Sequence, residues 1–139
     1  MEKLRFDDFD YTIFIDSTLS AVQVEVPPML LQPLIENAIW HGLKPKAGEK
    51  KINIRFLKQN DQLICEIEDN GIGLIKSAEQ QRANHQSVGI DNIKDRIRLL
   101  NLKYHTRCNL EIEDIGSMHN VAAGGTLARL TLSLIYEYT

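Results

Sequence analysis

A carboxylate lies where an apolar side chain is expected in LICEIEDNGIGL, residues 63–74. The segment alternates as a strand does, with Leu63, Cys65 and Ile67 on one face, and Asp69 continues that face. A buried carboxylate costs several kcal/mol unless a donor meets it, and the amino group of a nucleobase would be such a donor. The open alternative is that Asp69 only caps the Asn-Gly turn that follows it.

Two glycines follow this carboxylate at once, Gly71 and Gly73. Glycine adopts backbone angles that are forbidden to other residues, and it lets a flat ligand approach the main chain. The same pattern is also common in ordinary turns. Taken alone, the segment therefore favours a turn, and further motifs are needed to favour a ligand site.

A second candidate group lies in ENAIWHG, residues 36–42. Asn37 and His41 are four residues apart, so they share one face of a helix. An asparagine oxygen suits a hard cation such as Mg²⁺, which prefers oxygen ligands. The alternative is a solvated helix edge. Both residues border the apolar stripe that the helix would bury, formed by Leu31, Leu34, Ile35, Ala38 and Ile39.

A third group is formed by Ser87, Val88 and Gly89, which lead directly into the most regular helical pattern of the chain. Free N–H groups at the start of a helix bind phosphate well, although Ser87 is equally suited to be an ordinary N-cap. The helix is predicted from apolar residues at three- and four-residue steps, namely Ile90, Ile93, Ile97, Leu100 and Tyr104.

The remaining patterns predict the elements that must position these groups. The prolines of VPPMLL open a helix that ends near Gly42, and Pro33 is expected to distort its first turns. This order of elements predicts an α/β (α+β) two-layer sandwich whose mixed, mostly antiparallel sheet is covered on one face by helices. The other predicted elements are a lead-in at 1–10 from an absent upstream helix, strands at 11–15, 109–114 and 126–135, a hairpin of 51–56 and 62–69, and a polar loop at 75–87.

The composition is typical of a soluble single domain. The chain has 139 residues, of which 43% are hydrophobic and 25% charged, with a net charge of −3. This balance argues against a nucleic-acid binder, because such proteins carry a clustered basic excess. No apolar run approaches the ~20 residues that span a bilayer, and no secretory signal opens the chain. Cys65 and Cys108 suggest neither CxxC chemistry nor a disulfide scaffold, so a reducing, cytoplasmic setting is expected.

Together the motifs resemble the ATP-binding boxes of the GHKL superfamily in order and spacing. The chain looks like the catalytic ATP-binding domain of a bacterial sensor histidine kinase, and PPMLLQPLIENAIWHGL is most similar to the LytS-like kinases. The resemblance extends over residues 5–135 and implies a Bergerat-type fold over residues 11–139, with 75–87 as the ATP lid. The segments that carry it are LLQPLIENAIWHG, EDNGIGL, SVGIDNIKDRIRLL and GGTLARLTL.

The resemblance implies a role for each candidate residue. Asn37 would coordinate Mg²⁺ between the nucleotide phosphates, and Asp69 would accept a hydrogen bond from the adenine amine. Thr126 would share a water with Asp69, while Gly71 and Gly73 would line the adenine and ribose pocket. The other implied contacts are the phosphate-binding main chain around Val88 and Gly89 and the adenine-pocket walls Ile72, Leu74, Ile90 and Leu100.

The chain departs from the family pattern at several positions. Ser87 replaces the first glycine of the second glycine box. Pro33 stands where several GHKL ATPases carry a glutamate base, so Glu36, a neighbour on the helix, becomes the candidate base, with an exposed helix carboxylate as the alternative. Trp40 replaces a basic residue that contacts phosphate, which leaves that role to His41, Lys44, Lys76 or Arg82.

The implied function is transfer of the γ-phosphoryl group of ATP, with Mg²⁺, to a histidine on an upstream dimerisation segment outside this chain. The implied partners are those phosphoacceptor helices and a response regulator, with no nucleic acid and no direct membrane contact. The isolated domain is expected to be a monomer, and the parent protein to be anchored in the cell membrane. Two alternatives stay open: a nucleotide-sensing interaction module without kinase activity, and an anti-sigma-factor-like serine kinase.

Overall fold

The computed structural model describes residues 2–5, 9–19, 28–39, 48–72, 89–115 and 124–133. Within these residues the chain forms a six-stranded sheet and two α-helices. A short 3₁₀ turn, Ser17–Leu19, follows the second strand. The strands are β1 (Glu2–Arg5), β2 (Asp10–Ile15), β3 (Lys51–Gln59), β4 (Gln62–Asp69), β5 (Asn109–Asp114) and β6 (Thr126–Ser133), and the helices are α1 (Pro28–Asn37) and α2 (Gly89–Tyr104).

The sheet is mixed, and its strand order is β1-β2-β3-β4-β6-β5. Strands β2 and β3 are parallel, while every other neighbouring pair among the described strands is antiparallel. A parallel pair needs a crossover connection, and α1 lies in that connection. The predicted hairpin of β3 and β4 is confirmed, with Asn60 in the left-handed region (φ 56°) at its turn.

The hydrophobic core lies between the helices and one face of this sheet. Leu30 and Leu34 of α1 and Ile93 and Ile97 of α2 are buried in one cluster with alternate residues of three strands. We call the face of the sheet that packs against the helices the helix-facing side, and the opposite face the outer side. The strand residues in the cluster are Ile52 and Ile54 of β3, Leu63, Cys65 and Ile67 of β4, and Ala128, Leu130 and Leu132 of β6. The predicted α/β class is therefore confirmed.

Both helices begin where the sequence predicts. Helix α1 starts at Pro28 and runs through Pro33 to Asn37 without interruption, and Ala38 and Ile39 continue as a π-helical turn. The predicted end near Gly42 lies outside the described residues. Helix α2 carries Asp91 in its first turn and Lys103 in its last, as the helix dipole favours.

The start of the chain differs from the prediction. Residues 1–10 are predicted to be a lead-in from an upstream helix, but Glu2–Arg5 form β1, antiparallel to β2. Strand β3 occupies one edge of β2. The backbone N–H and C=O groups on the other edge need partners, and an extended segment such as residues 2–5 can supply them. Such pairing needs no strong side-chain pattern, which explains why residues 2–5 show none.

Candidate functional site

Asp69 lies at the end of β4 on the helix-facing side, and it is only 4% exposed. Its direct neighbour on β3 is Ile52, and its direct neighbour on β6 is Thr126, which is 7% exposed. Thr126 in turn lies opposite Asp114 of β5. Directly opposed residues have Cβ atoms about 5 Å apart. These four residues, which we call the Asp69 row, therefore bring two carboxylates and a hydroxyl to one end of the sheet.

The Asp69 carboxylate takes part in the turn that follows β4. Its Oδ1 accepts a hydrogen bond from the Gly71 N–H at 2.8 Å, so the turn-capping interpretation is correct for this oxygen. A carboxylate has about four acceptor positions on its two oxygens. The capping bond is therefore compatible with a further donor from a ligand.

Asn70 fixes the same turn to the start of β3. Its side-chain oxygen accepts the Lys51 N–H at 2.7 Å, and its side-chain nitrogen donates to the Glu49 carbonyl at 3.1 Å. The Asn70 N–H also donates to the Lys51 carbonyl, at 3.2 Å. These bonds hold the main chain beside Asp69, a role for Asn70 that the sequence motif alone does not disclose.

The glycine pair before β6 lies against the backbone of this turn. A Cβ on Gly125 would be 2.5 Å from the Asp69 carbonyl oxygen, and one on Gly124 would be 2.9 Å from that of Gly71. Gly125 also has φ 144°, a conformation that side chains disfavour. The Gly-Gly-Thr motif thus has a physical reason, because only glycine allows the main chain to pass so close to Asp69.

Asn37 lies at the C-terminal end of α1, where its side chain is half-buried. The π-helical turn begins at the next residue, and such turns are frequent at functional sites. Glu36 is exposed, and its Oε1 accepts a hydrogen bond from the Gln32 side chain at 3.0 Å. This contact fits the alternative of an exposed helix carboxylate, although it does not test a catalytic role.

The other candidates divide between the described and undescribed residues. Gly71 is buried, and Ile72, Ile90 and Leu100 are half-buried, with Ile90 and Leu100 packed against the core cluster. Gly89 is the first residue of α2. The candidates that lie outside the described residues are Trp40, His41, Lys44, Gly73, Leu74, Lys76, Arg82, Ser87, Val88 and the predicted lid at 75–87.

Asp114 belongs to this row, although none of the sequence motifs includes it. Its strand, NLEIED, places Leu110, Ile112 and Asp114 on one face, with the carboxylate following the apolar residues. This is the same signal that singled out Asp69 on β4. Applied to every strand, the signal would have identified Asp114 as well.

The chain has named relatives among bacterial proteins, although no family model matches it. It is 32% identical over 103 residues to the uncharacterized protein YwpD of Bacillus subtilis, covering 70% of this chain and 36% of that protein. It is 30% identical over 105 residues to sensor histidine kinase YpdA of Escherichia coli, covering 72% of this chain and 18% of that one. Sensor protein kinase HptS of Staphylococcus aureus is 38% identical over 81 residues, or 58% of this chain and 15% of HptS. The chain belongs to the sensor histidine kinase family.

The fold agrees with that of solved histidine kinases. The catalytic domain of histidine kinase ThkA matches with a TM-score of 0.59 at 12% identity, covering 91% of this chain and 80% of that one. Histidine kinase AdeS of Acinetobacter baumannii matches with a TM-score of 0.53 at 16% identity, covering 91% of this chain and 54% of that one.

The family resemblance inferred from the motifs is therefore confirmed. The chain spans no more than 36% of the length of the named relatives YwpD, YpdA and HptS. Among the described residues, neither helix is long and apolar enough to cross a membrane.

Proposed function

We propose that the Asp69 end of this chain binds ATP with Mg²⁺ and directs the γ-phosphoryl group to a histidine imidazole of another segment. The observation that carries the proposal is the Asp69 row. A carboxylate that is 4% exposed lies beside a buried threonine hydroxyl, at a place where two glycines keep side chains away from the main chain. A carboxylate in such a setting suits an amino group on a flat heterocycle.

The residues of the row have separate tasks in this proposal. Asp69 accepts a hydrogen bond from the adenine amine, while its capping bond to Gly71 fixes the orientation of the carboxylate. Thr126 lies directly across from Asp69 and offers a hydroxyl for a shared water. The close approach of Gly125 to the Asp69 carbonyl keeps β4 and β6 in this relation.

Asn37 is the proposed magnesium ligand. Its amide oxygen is a hard ligand of the kind that Mg²⁺ prefers, and the negative end of the α1 dipole lies at the same residue. Bound Mg²⁺ neutralises phosphate charge, and phosphoryl transfer depends chiefly on such neutralisation and on positioning. Few side chains of the chain therefore need to act covalently. Glu36 is the proposed proton acceptor, and His41, which lies outside the described residues, is a proposed phosphate contact.

The acceptor histidine is proposed to come from an upstream dimerisation segment, with a response regulator as the next partner. Of the four histidines in the chain, His105 lies among the described residues, at the end of α2 with φ 54°. An exposed residue in this turn is poorly placed to reach the Asp69 end. Because dimerisation and the acceptor histidine are assigned to the upstream segment, the isolated domain is expected to be a monomer. It should bind nucleotide and phosphorylate itself poorly.

Calorimetric titration with a non-hydrolysable ATP analogue, with and without Mg²⁺, tests this proposal. Asp69→Asn keeps an oxygen for the Gly71 N–H but turns the other acceptor into a donor, so binding should weaken about tenfold to a hundredfold. The matched control is Asp61→Asn in the exposed β3–β4 turn, which should bind like wild type. Wild type without measurable binding, or equal binding by both variants, would refute the adenine–Asp69 contact.

A transfer experiment separates kinase activity from the two alternatives. The chain is incubated with labelled ATP and with phosphoacceptor helices of a related sensor kinase supplied in trans. Acid-labile label on the helix histidine supports the proposal. Nucleotide binding without transfer would favour the nucleotide-sensing module, and acid-stable label on a partner serine would favour the serine kinase.

A further inference from the structure

A groove lies between α2, from Lys94 to Leu102, and the beginning of β5. Its volume is about 540 Å³, and the residues that line it include Lys94, Ile97, Arg98, Leu102, Asn109 and Leu110. Asn109 is five strand positions from Asp114, so the groove lies roughly 16 Å from the Asp69 row at 3.3 Å per residue. The groove is therefore separate from the proposed nucleotide site.

The walls of the groove combine apolar surface with positive charge. Ile97 is buried and Leu110 half-buried, whereas Leu102 at the edge is 67% exposed. Lys94 and Arg98 lie one helical turn apart, and both are exposed. Among the described residues, no acidic side chain lines the groove and neither cation forms an ion pair. An exposed leucine beside two unpaired cations is a surface suited to an acidic partner.

The other wall of the groove is the edge of the sheet. Among the described strands, β5 pairs with β6 alone, so no described strand occupies its other edge. An open edge offers backbone N–H and C=O groups to which an extended segment can add as a further strand. A strand added there would direct alternate side chains toward α2 and thus into the groove.

We propose that the groove binds an extended acidic segment of a partner protein, which adds to β5 and directs its carboxylates to Lys94 and Arg98. An apolar side chain between those carboxylates would contact Leu102 and Leu110. Side chains on the outer side should not be acidic, because Glu111 and Glu113 of β5 lie on that side. The same two glutamates disfavour a second copy of the chain as occupant, since pairing β5 with itself would oppose like charges.

A short fluorescent peptide, with Glu, Leu and Glu at alternate positions and Thr between them, provides the probe. Thr favours the extended conformation without adding charge. Fluorescence anisotropy should show binding that weakens at least about tenfold in Lys94→Glu and in Arg98→Glu, because the carboxylates then meet like charge. The matched control is Lys103→Glu, which makes the same charge change on the other side of α2. There the Lys103 Nζ lies 5.1 Å from the centroid of the Tyr104 ring. Its effect should stay below about twofold.

Three further results decide the proposal. A peptide with Lys in place of Glu should not bind, and equal binding would overturn charge recognition. A peptide with N-methylated amides at every inner position should bind at least about tenfold more weakly, because it offers β5 no inner N–H group whichever way it runs; unchanged affinity would overturn strand addition. Amide NMR shifts upon peptide addition should occur in β5 and α2, and shifts elsewhere or dimerisation through β5 would also overturn it. All variants should retain nucleotide binding, so this test is independent of the proposed function.

Discussion

Two buried carboxylates of β4 lie three residues apart and face opposite sides of the sheet. Glu66, on the outer side, is 9% exposed and accepts hydrogen bonds from Arg55 Nε at 3.0 Å and from Arg129 Nε at 2.9 Å. Asp69, on the helix-facing side, is 4% exposed and accepts the Gly71 main-chain N–H at 2.8 Å. The same strand therefore holds one carboxylate between side-chain cations and the other beside the main chain of its own turn.

This comparison distinguishes a carboxylate with a structural role, Glu66, from one whose position suits a ligand, Asp69. Burial raises the pKa of Glu66, but the hydrogen bonds and positive charges of Arg55 and Arg129 outweigh burial and hold that pKa below its ordinary value. Glu66 thereby connects β3, β4 and β6, and its acceptors are used within the sheet. Asp69 instead lies at the end of its strand, where Gly124 and Gly125 exclude side chains from the adjoining main chain. A burial value alone would not distinguish these two settings.

The largest effect is expected from a change that displaces the main chain at Asp69. In Gly125→Ala the new Cβ would lie 2.5 Å from the Asp69 carbonyl oxygen, at a φ of 144°. We expect the free energy of unfolding to fall by about 3 kcal/mol, and nucleotide binding by the remaining folded protein to weaken. Urea denaturation and calorimetric titration measure the two effects.

Gly48→Ala is the matched control for this change. Gly48 also has a positive φ, 91°, but a Cβ there would meet no atom within 4 Å. Only the backbone conformation is then penalised, at about 1 kcal/mol. If Gly125→Ala is no more destabilising than Gly48→Ala, the close approach of β6 to Asp69 has no energetic importance.

The second effect concerns the other side of the strand. Glu66→Gln keeps the shape of the side chain but removes the negative charge between Arg55 and Arg129, whose side chains are only 29% and 35% exposed. We expect a loss of about 2 kcal/mol in the free energy of unfolding, with nucleotide affinity unchanged. Glu68→Gln is the control, because Glu68 is 3.7 Å from Arg55 and 35% exposed; it should cost less than about 0.5 kcal/mol. Impaired nucleotide binding by folded Glu66→Gln would contradict the division between the two faces.

The helix-facing side was largely predictable from sequence, and the outer side was not. The period-two pattern of β4 and the helical period of α2 identify buried residues such as Ile67 and Ile93, because both patterns are local. The same pattern identified Asp69 as an inward carboxylate. Asp114 carries an equivalent signal on a shorter strand, where fewer alternating residues define the period.

Long-range pairing explains what the sequence did not disclose. Arg55, Glu66 and Arg129 come from three strands and meet only because the strand registers place Glu66 opposite both arginines. No short-range pattern encodes that register. Asn70 likewise bonds to Lys51, 19 residues away, through a turn whose motif is common in proteins of every kind.

The smallest effect is a pH dependence of the difference in stability between wild type and Glu66→Gln. The pKa of Glu66 is held below its ordinary value of 4.5, so the folded state favours the ionised form. The stability that follows is fully present above pH 4.5 and is lost as the pH falls through the lower pKa of the folded state. The difference in unfolding free energy between wild type and Glu66→Gln should therefore be constant at neutral pH and shrink as the pH falls below 4.5. Urea denaturation of both proteins across this range measures the difference, and other carboxylates cancel because both proteins contain them. A difference that stays constant into acid would show that Glu66 acts through packing, and its contrast with Asp69 would then not be one of charge.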